Sequence, residues 1–213
     1  MAFSMNNLKF LVGTPVHEKK EYAIYKFLDS LGTFKLPNHA IYIVDNSDTP
    51  EFSRRIQKYC QKIGLENCEV EHMKGMVDLE QEDRLARARD KIRDKILAGD
   101  YTHWFSVESD IIVPADGPEK LYPYLKDFKF VNHFYPDRAE PNMELGGVGF
   151  TIVDRELIEK FKFSENGGFA QCDPLIPNCY YSNDSWFVVR IRRAGYATVD
   201  FHELVHGIEH LAS

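Results

Sequence analysis

Three observations in the sequence predict an α/β fold with a mostly parallel central sheet and helices on both faces. Short apolar runs rich in β-branched and aromatic residues alternate with stretches whose apolar residues recur every three to four positions. The first half of the chain reads strand, helix, strand, helix, strand, helix, strand, the signature of parallel βαβ units. Hydrophobic residues make up 44% of 213, enough to build the core of a single domain.

The elements follow in order. Leu8 to Thr14 is a compact apolar run broken by Gly13 and Pro15, a buried strand entering a loop. Between Lys19 and Leu31, Ala23, Phe27 and Leu31 form one helical face. Ala40 to Val44 is the second strand and ends in the polar stretch Asp45 to Asp48. Pro50 starts a helix to about Ile63, since its fixed φ and missing donor suit a first turn. Glu69 to His72 is a short third strand. An acidic loop, Asp78 to Asp83, precedes the longest helix, Arg84 to Ala98, with Leu85, Ala88, Ile92 and Ile96 inward. Arg89 lies at the edge of that face, where it either lays its stem over apolar surface or reaches a phosphate. His103 to Val107 is the fourth strand. Beyond Pro114 come a short helix (117–125), strands at 129–134 and 151–153, a helix capped by Asp154, and a helix from Asn183 to about Ala194. A last strand (196–199) leads into a His-rich tail. The loop 164–183, rich in Gly, Pro, Asn and Ser, has the length of a binding-site loop.

Several function classes are disfavoured. A net charge of −7 argues against a general nucleic-acid binder. No run of ~18 apolar residues is present, so no membrane span is expected. Met1 to Asn7 lacks a basic region followed by an apolar one, so no secretory leader is expected there. Cys60, Cys68, Cys172 and Cys179 form no CxxC pair and read as reduced thiols of a cytoplasmic protein. Neither GxGxxG nor GxxxxGK[ST] follows the first strand.

Candidate chemistry gathers at four places. The fourth strand runs into Glu108-Ser109-Asp110; residues two apart on a strand share a face, so the two carboxylates would leave together. Such a pair repels unless a cation or proton lies between, and an oxygen-rich site suits Mg²⁺ or Mn²⁺. Gly146 and Gly147 allow close backbone approach to a ligand or make a tight turn. Asp184 stands at a helix start on its inward side, as a cap or as a working carboxylate. His202-Glu203-Leu204-Val205-His206 matches H-E-x-x-H, which on a helix would bring two imidazoles to one face for zinc.

Taken together, these segments resemble the GT-A (nucleotide-diphospho-sugar transferase) fold of glycosyltransferases, family 2-like, over nearly the whole chain. Val12-Gly-Thr-Pro15 is similar to the opening strand that meets the nucleotide, and Val44-Asp-Asn-Ser47 to the second strand end, whose acid contacts base or ribose. Ala86-Arg-Ala-Arg-Asp90 is similar to the "A-R-N" helix, with Asp90 where the family has Asn. Glu108-Ser109-Asp110 resembles the metal-binding D-x-D, with Glu for the first acid. Glu144-Leu-Gly-Gly147 resembles the sugar-pocket segment, and Ser182 to Phe187 with Arg193 to Tyr196 resembles "E-D-x-x-F … R-x-x-G-Y", with Asn183 in place of Glu.

The resemblance implies a single domain, 1–213, with a nucleotide-binding half (about 8–114) and an acceptor-side half (about 115–213). It implies a Mn²⁺- or Mg²⁺-dependent hexosyltransferase that moves a sugar from a nucleotide-sugar to a carbohydrate, lipid-linked or protein acceptor, with inversion. Thr14, Pro15, Asp45, Arg89, Glu108, Ser109, Gly146 and Gly147 would contact the donor. Asp110 would hold the metal, with a tail imidazole, best His206 and alternatively His202; Asp184 would be the catalytic base. Two other readings remain open: a zinc metallopeptidase using His202, Glu203 and His206, and a GT-A domain that binds without catalysis.

Overall fold

The computed structural model describes residues 7–136, 144–145, 147–165 and 182–212. The strands are β1 (Phe10–Val16), β2 (His39–Asp45), β3 (Cys68–His72), β4 (His103–Val107), β5 (Ile111–Ile112), β6 (Phe130–His133), β7 (Tyr135–Pro136), β8 (Glu144–Leu145), β9 (Phe150–Asp154), β10 (Thr198–Phe201) and β11 (Glu209–His210). The helices are α1 (Glu21–Leu31), α2 (Glu51–Lys62), α3 (Gln81–Ala98), α4 (Gly117–Leu121), α5 (Arg155–Lys160) and α6 (Asn183–Arg193).

Seven strands form one sheet in the order β10-β6-β9-β4-β1-β2-β3. The pairs β1–β2, β2–β3, β1–β4 and β6–β10 are parallel, while β9 runs antiparallel to both β4 and β6. The predicted mostly parallel sheet is therefore present, with one reversed strand in its interior. Period-two alternation divides the core between the faces. Phe10, Val12, Ile41, Ile43, Phe105 and Val107 pack with α1 and α2. Leu11, Tyr42, Val44 and Trp104 pack with α3, α5 and α6. Gly13 lets α3 come close to the sheet: a Cβ there would stand 2.4 Å from Ile92 Cγ2 of α3 and 2.6 Å from Trp104 Nε1, which donates to the Gly13 carbonyl at 2.9 Å.

Several predicted boundaries shift. β1 runs through Gly13 and Pro15 to Val16 rather than spanning 8–14, and the predicted 117–125 helix is α4 followed by a 3-10 turn, Tyr122–Lys126. α3 starts at Gln81 rather than Arg84, because Glu82 and Asp83 occupy its first turn, where carboxylates meet the positive end of the helix dipole. The last sheet strand is 198–201 rather than 196–199. The tail beyond it is fastened rather than loose. Val205 and Ile208 enter the core, and Val205 N donates to His133 Nε2 at 2.9 Å. β11 then pairs antiparallel with β5. Among the described residues no helix is long and apolar enough to cross a membrane.

His103, at the start of β4, carries a stability prediction. Burial holds its imidazole down to about 4, with Asp154 opposing and Lys129 reinforcing the shift. The unfolded chain takes up that proton near pH 6.5, so the contribution is complete above that pH and is lost as pH falls toward about 4. Urea unfolding at pH 7 and 4.5 should show wild type losing roughly 2–3 kcal/mol more than His103→Phe on acidification. Equal losses in the two proteins would remove His103 as the source.

Candidate active site

The site lies beyond the carboxyl ends of β1 and β4, where open α/β sheets hold their ligands. β4 stops at Val107, and the chain turns through Glu108, Ser109 and Asp110 into β5. The turn is closed by Ile111 N donating to Glu108 O at 3.1 Å, and Glu108 N is tied to Gly149 O at 2.8 Å. The two carboxylates thus leave a turn, not a strand, so the shared-face argument does not describe them. They converge all the same. Oxygens of Glu108 and Asp110 and a ring nitrogen of His210 lie within 4.8 Å of one another.

His210 arrives by the β5–β11 ladder, in which it stands opposite Ile111, with Leu211 N bonded to Asp110 O at 2.8 Å. Its Nδ1 donates to Pro136 O at 3.1 Å, which leaves Nε2 facing Asp110 Oδ2 at 3.4 Å. Asp110 itself is fully buried. Lys20 Nζ meets its Oδ1 at 2.8 Å, and the Tyr22 hydroxyl meets its Oδ2 at 3.2 Å.

Arg89 ties this cluster to Asp184. Its head is 2% exposed and lies over the Phe163 ring, 5.6 Å from the centroid. One amino group, Nη2, stands 3.8 Å from Glu108 Oε1 and 3.6 Å from Asp184 Oδ2. Its Nη1 donates to Asn183 Oδ1, and Asn183 Nδ2 donates to Glu82 Oε2 at 2.6 Å. Arg89 Nε has no hydrogen bond among the described residues. The Tyr135 hydroxyl donates to Glu108 Oε2 at 3.2 Å; burial, then the charges of Glu108 and Asp184, push that phenol well above its usual range and keep it a donor. Gly147, at φ 101°, lets the backbone pass beside Asp184: a Cβ would sit 2.5 Å from its Oδ2.

No protein-family model and no curated protein matches the chain. Solved structures do. One is a mannosyltransferase, PcManGT, from Pyrobaculum calidifontis in complex with GDP-Man and Mn²⁺, at 14% identity and TM-score 0.66, covering 92% of this chain and 55% of that one. Another is S. aureus TarS 1-349, at 13% identity and TM-score 0.60, covering 92% and 58%. The same protein with UDP-GlcNAc gives 13% and 0.59, covering 95% and 60%. The fold is the GT-A fold. This chain spans little more than half the length of those structures.

On the GT-A frame the remaining predicted residues can be placed. Thr14 is fully buried and gives its hydroxyl to Val107 O at 3.0 Å, joining β1 to β4. Pro15 stands opposite Val44 in the β1–β2 ladder. Asp45 is fully buried, accepting from Ser47 N and Ser53 N at 3.0 Å each, with His72 Nδ1 at 3.4 Å. The side chains of Thr14 and Asp45 thus shape the rim internally rather than face it. Ser109 Oγ is buried without a hydrogen bond among the described residues. Asp90, the departure from Asn, accepts from Phe163 N at 2.7 Å and Ser164 N at 3.0 Å. Gly146, Cys172, Cys179 and most of the loop 164–183 lie outside the described residues.

The H-E-x-x-H segment is not a helix. Residues 202–205 are bends, and His202, Glu203 and His206 are exposed. His202 stacks on Phe134, with ring centroids 4.6 Å apart. The two imidazoles share no helical face, which removes the geometric basis of the zinc-peptidase reading. His206 also stands outside the acidic cluster; the imidazole at Asp110 belongs to His210. Sequence reasoning missed Lys20, Tyr22, Glu82, Tyr135 and His210. Only His210 left a signal, as one more histidine in a tail already noted as His-rich.

Proposed function

We propose that the protein is a metal-dependent glycosyltransferase that moves a sugar from a nucleotide-sugar to an acceptor hydroxyl with inversion. The observation that carries this reading is the convergence of Glu108, Asp110 and His210 beside the Arg89–Asp184 pair. Two carboxylates and one imidazole suit Mn²⁺ or Mg²⁺. His210 also has the hydrogen bond through Nδ1 that orients a ligating imidazole. Its Nε2 faces Asp110 Oδ2 at 3.4 Å, an arrangement that a ring proton or a cation between them would satisfy. The likeness to structures holding GDP-Man with Mn²⁺ and UDP-GlcNAc supports the same ligand class here.

Asp110 and His210 would hold the ion, with Glu108 beside them. When bound, the ion supplies Lewis-acid stabilisation of the departing diphosphate. Asp184 takes the proton of the attacking hydroxyl. Arg89 fixes Asp184 and Glu108 relative to each other from beneath, and Tyr135 orients Glu108. Residues 8–114, joined by His210 from the tail, serve the nucleotide and its metal; the rest of 115–213 serves a carbohydrate, lipid-linked or protein acceptor in the cytoplasm.

The test is thermal melting against UDP-, GDP- and dTDP-sugars with and without Mn²⁺. At donor concentrations near 100 Kd the matching donor stabilises by ~2.7 kcal/mol, a rise of roughly 5–10 °C for a chain of this size. His210→Ala should abolish that Mn²⁺-dependent rise and His206→Ala should keep it. No donor shifting the melt with Mn²⁺, or tightly held zinc in the purified protein, would refute the reading.

A further inference from the structure

We propose that Lys20 is a tethered counter-ion that holds the place of the divalent cation in the donor-free protein and gives it up when ion and donor bind together. The inference rests on the metal reading of Asp110 given above. A fully buried carboxylate is costly without a positive partner. Asp110 is 0% exposed, and among the described residues Lys20 is a formal cation bonded to it, its Nζ 2.8 Å from Oδ1. Lys20 is not part of the rigid core. It ends the short 3-10 turn Glu18–Lys20, and its side chain is 34% exposed. A lysine stem of four carbons can carry its charge several ångströms without moving the backbone.

A divalent ion held by Asp110 and His210 would stand beside that ammonium. Two like charges about 4 Å apart in a half-buried setting repel strongly enough to shift an equilibrium by tenfold or more. One of them must retreat. A nucleoside diphosphate brings several negative oxygens to the same mouth, where the displaced ammonium would find new partners, since lysine binds phosphate as a point charge. The consequence is coupling: Mn²⁺ alone binds weakly, because it must expel Lys20 without recompense, and binds well once diphosphate offers Lys20 another partner. The same arrangement keeps Asp110 neutralised while the site waits for donor.

The probes are Mn²⁺, titrated by electron paramagnetic resonance, and UDP and GDP. In wild type, Mn²⁺ alone should bind at least about tenfold more weakly than Mn²⁺ with the preferred diphosphate. Lys20→Met keeps the stem and removes the charge, so Mn²⁺ alone should bind roughly tenfold or more tightly than to wild type, and the coupling to diphosphate should shrink. Lys20→Arg should stay near wild type. A Lys20→Met protein that binds Mn²⁺ alone no better than wild type overturns the proposal. So does wild type that binds Mn²⁺ equally with and without diphosphate, a measurement that needs no variant to fold. In both of those cases Mn²⁺ still binds and the glycosyltransferase reading stands. Mn²⁺ failing to bind either protein, with or without diphosphate, sinks both.

Discussion

Asp110→Asn is expected to lower the Mn²⁺-dependent affinity for nucleoside diphosphate by at least about a hundredfold while the protein stays folded. Outer-shell partners of metal ligands are typically worth 10–100-fold, and a direct charged ligand exceeds them. The side chain keeps its shape in Asn but loses the charge that opposes the ion. Asp110 is fully buried, so a stability cost accompanies the change. Breaking a fully buried ion pair costs 3–5 kcal/mol. Here Lys20 is a third exposed and can return to water, so the cost falls below that range. The Asn amide still has the Tyr22 hydroxyl within reach, the group now 3.2 Å from Oδ2. Melting without ligand should therefore drop by only several degrees, at roughly 2–4 °C per kcal/mol. Calorimetry showing wild-type Mn²⁺–diphosphate affinity in a folded Asp110→Asn protein would remove Asp110 from the metal site, and with it the meaning of the cluster with His210.

The sheet was legible because its information is local. Phe10 and Val12 against Leu11, and Ile41 and Ile43 against Tyr42 and Val44, alternate along the chain in the same order that divides them between the two faces. The acidic cluster was legible for a reason that does not hold: Glu108 and Asp110 converge through a turn closed by Ile111 N on Glu108 O and tied to Gly149, just before β9, not through the period of a strand. What could not be read depends on register between distant segments. His210 reaches Asp110 because Glu209–His210 pairs with Ile111–Ile112, and no local pattern announces a two-residue ladder. Leu204, Val205 and Ile208 draw the tail inward along an irregular path. That tertiary demand overrides the helix that H-E-x-x-H would need. Lys20 sits in the charged run Glu18 to Glu21, where sequence alone suggests a solvated surface. Only the β1–α1 turn aims it at the buried carboxylate.

Asp184→Asn is expected to lower kcat by roughly 10²-fold or more with donor affinity retained, because Asn cannot accept the acceptor's proton. The structure separates this role from capping. Ser182 is the N-cap of α6, its side chain accepting from Ser185 N. Asp184 Oδ1 also accepts from Ser185 N, at 2.9 Å, a bond that Asn can keep. What Asn loses is the charge on Oδ2, which faces Arg89 Nη2 at 3.6 Å and the Gly147 backbone. Arg89 does not become unpaired, since Glu108 Oε1 stands 3.8 Å from the same amino group and Asn183 still accepts from Nη1. The stability loss should stay near 1 kcal/mol, a few degrees in Tm. Donor affinity is expected to persist, because the proposed metal ligands Asp110 and His210 lie outside the mutated side chain. Melting temperature, donor affinity and kcat on this one mutant divide the possibilities. A large fall in kcat with binding and stability near wild type identifies the base. A kcat near wild type would leave Asp184 as a counter-ion to Arg89 alone, and the proton of the attacking hydroxyl would need another acceptor.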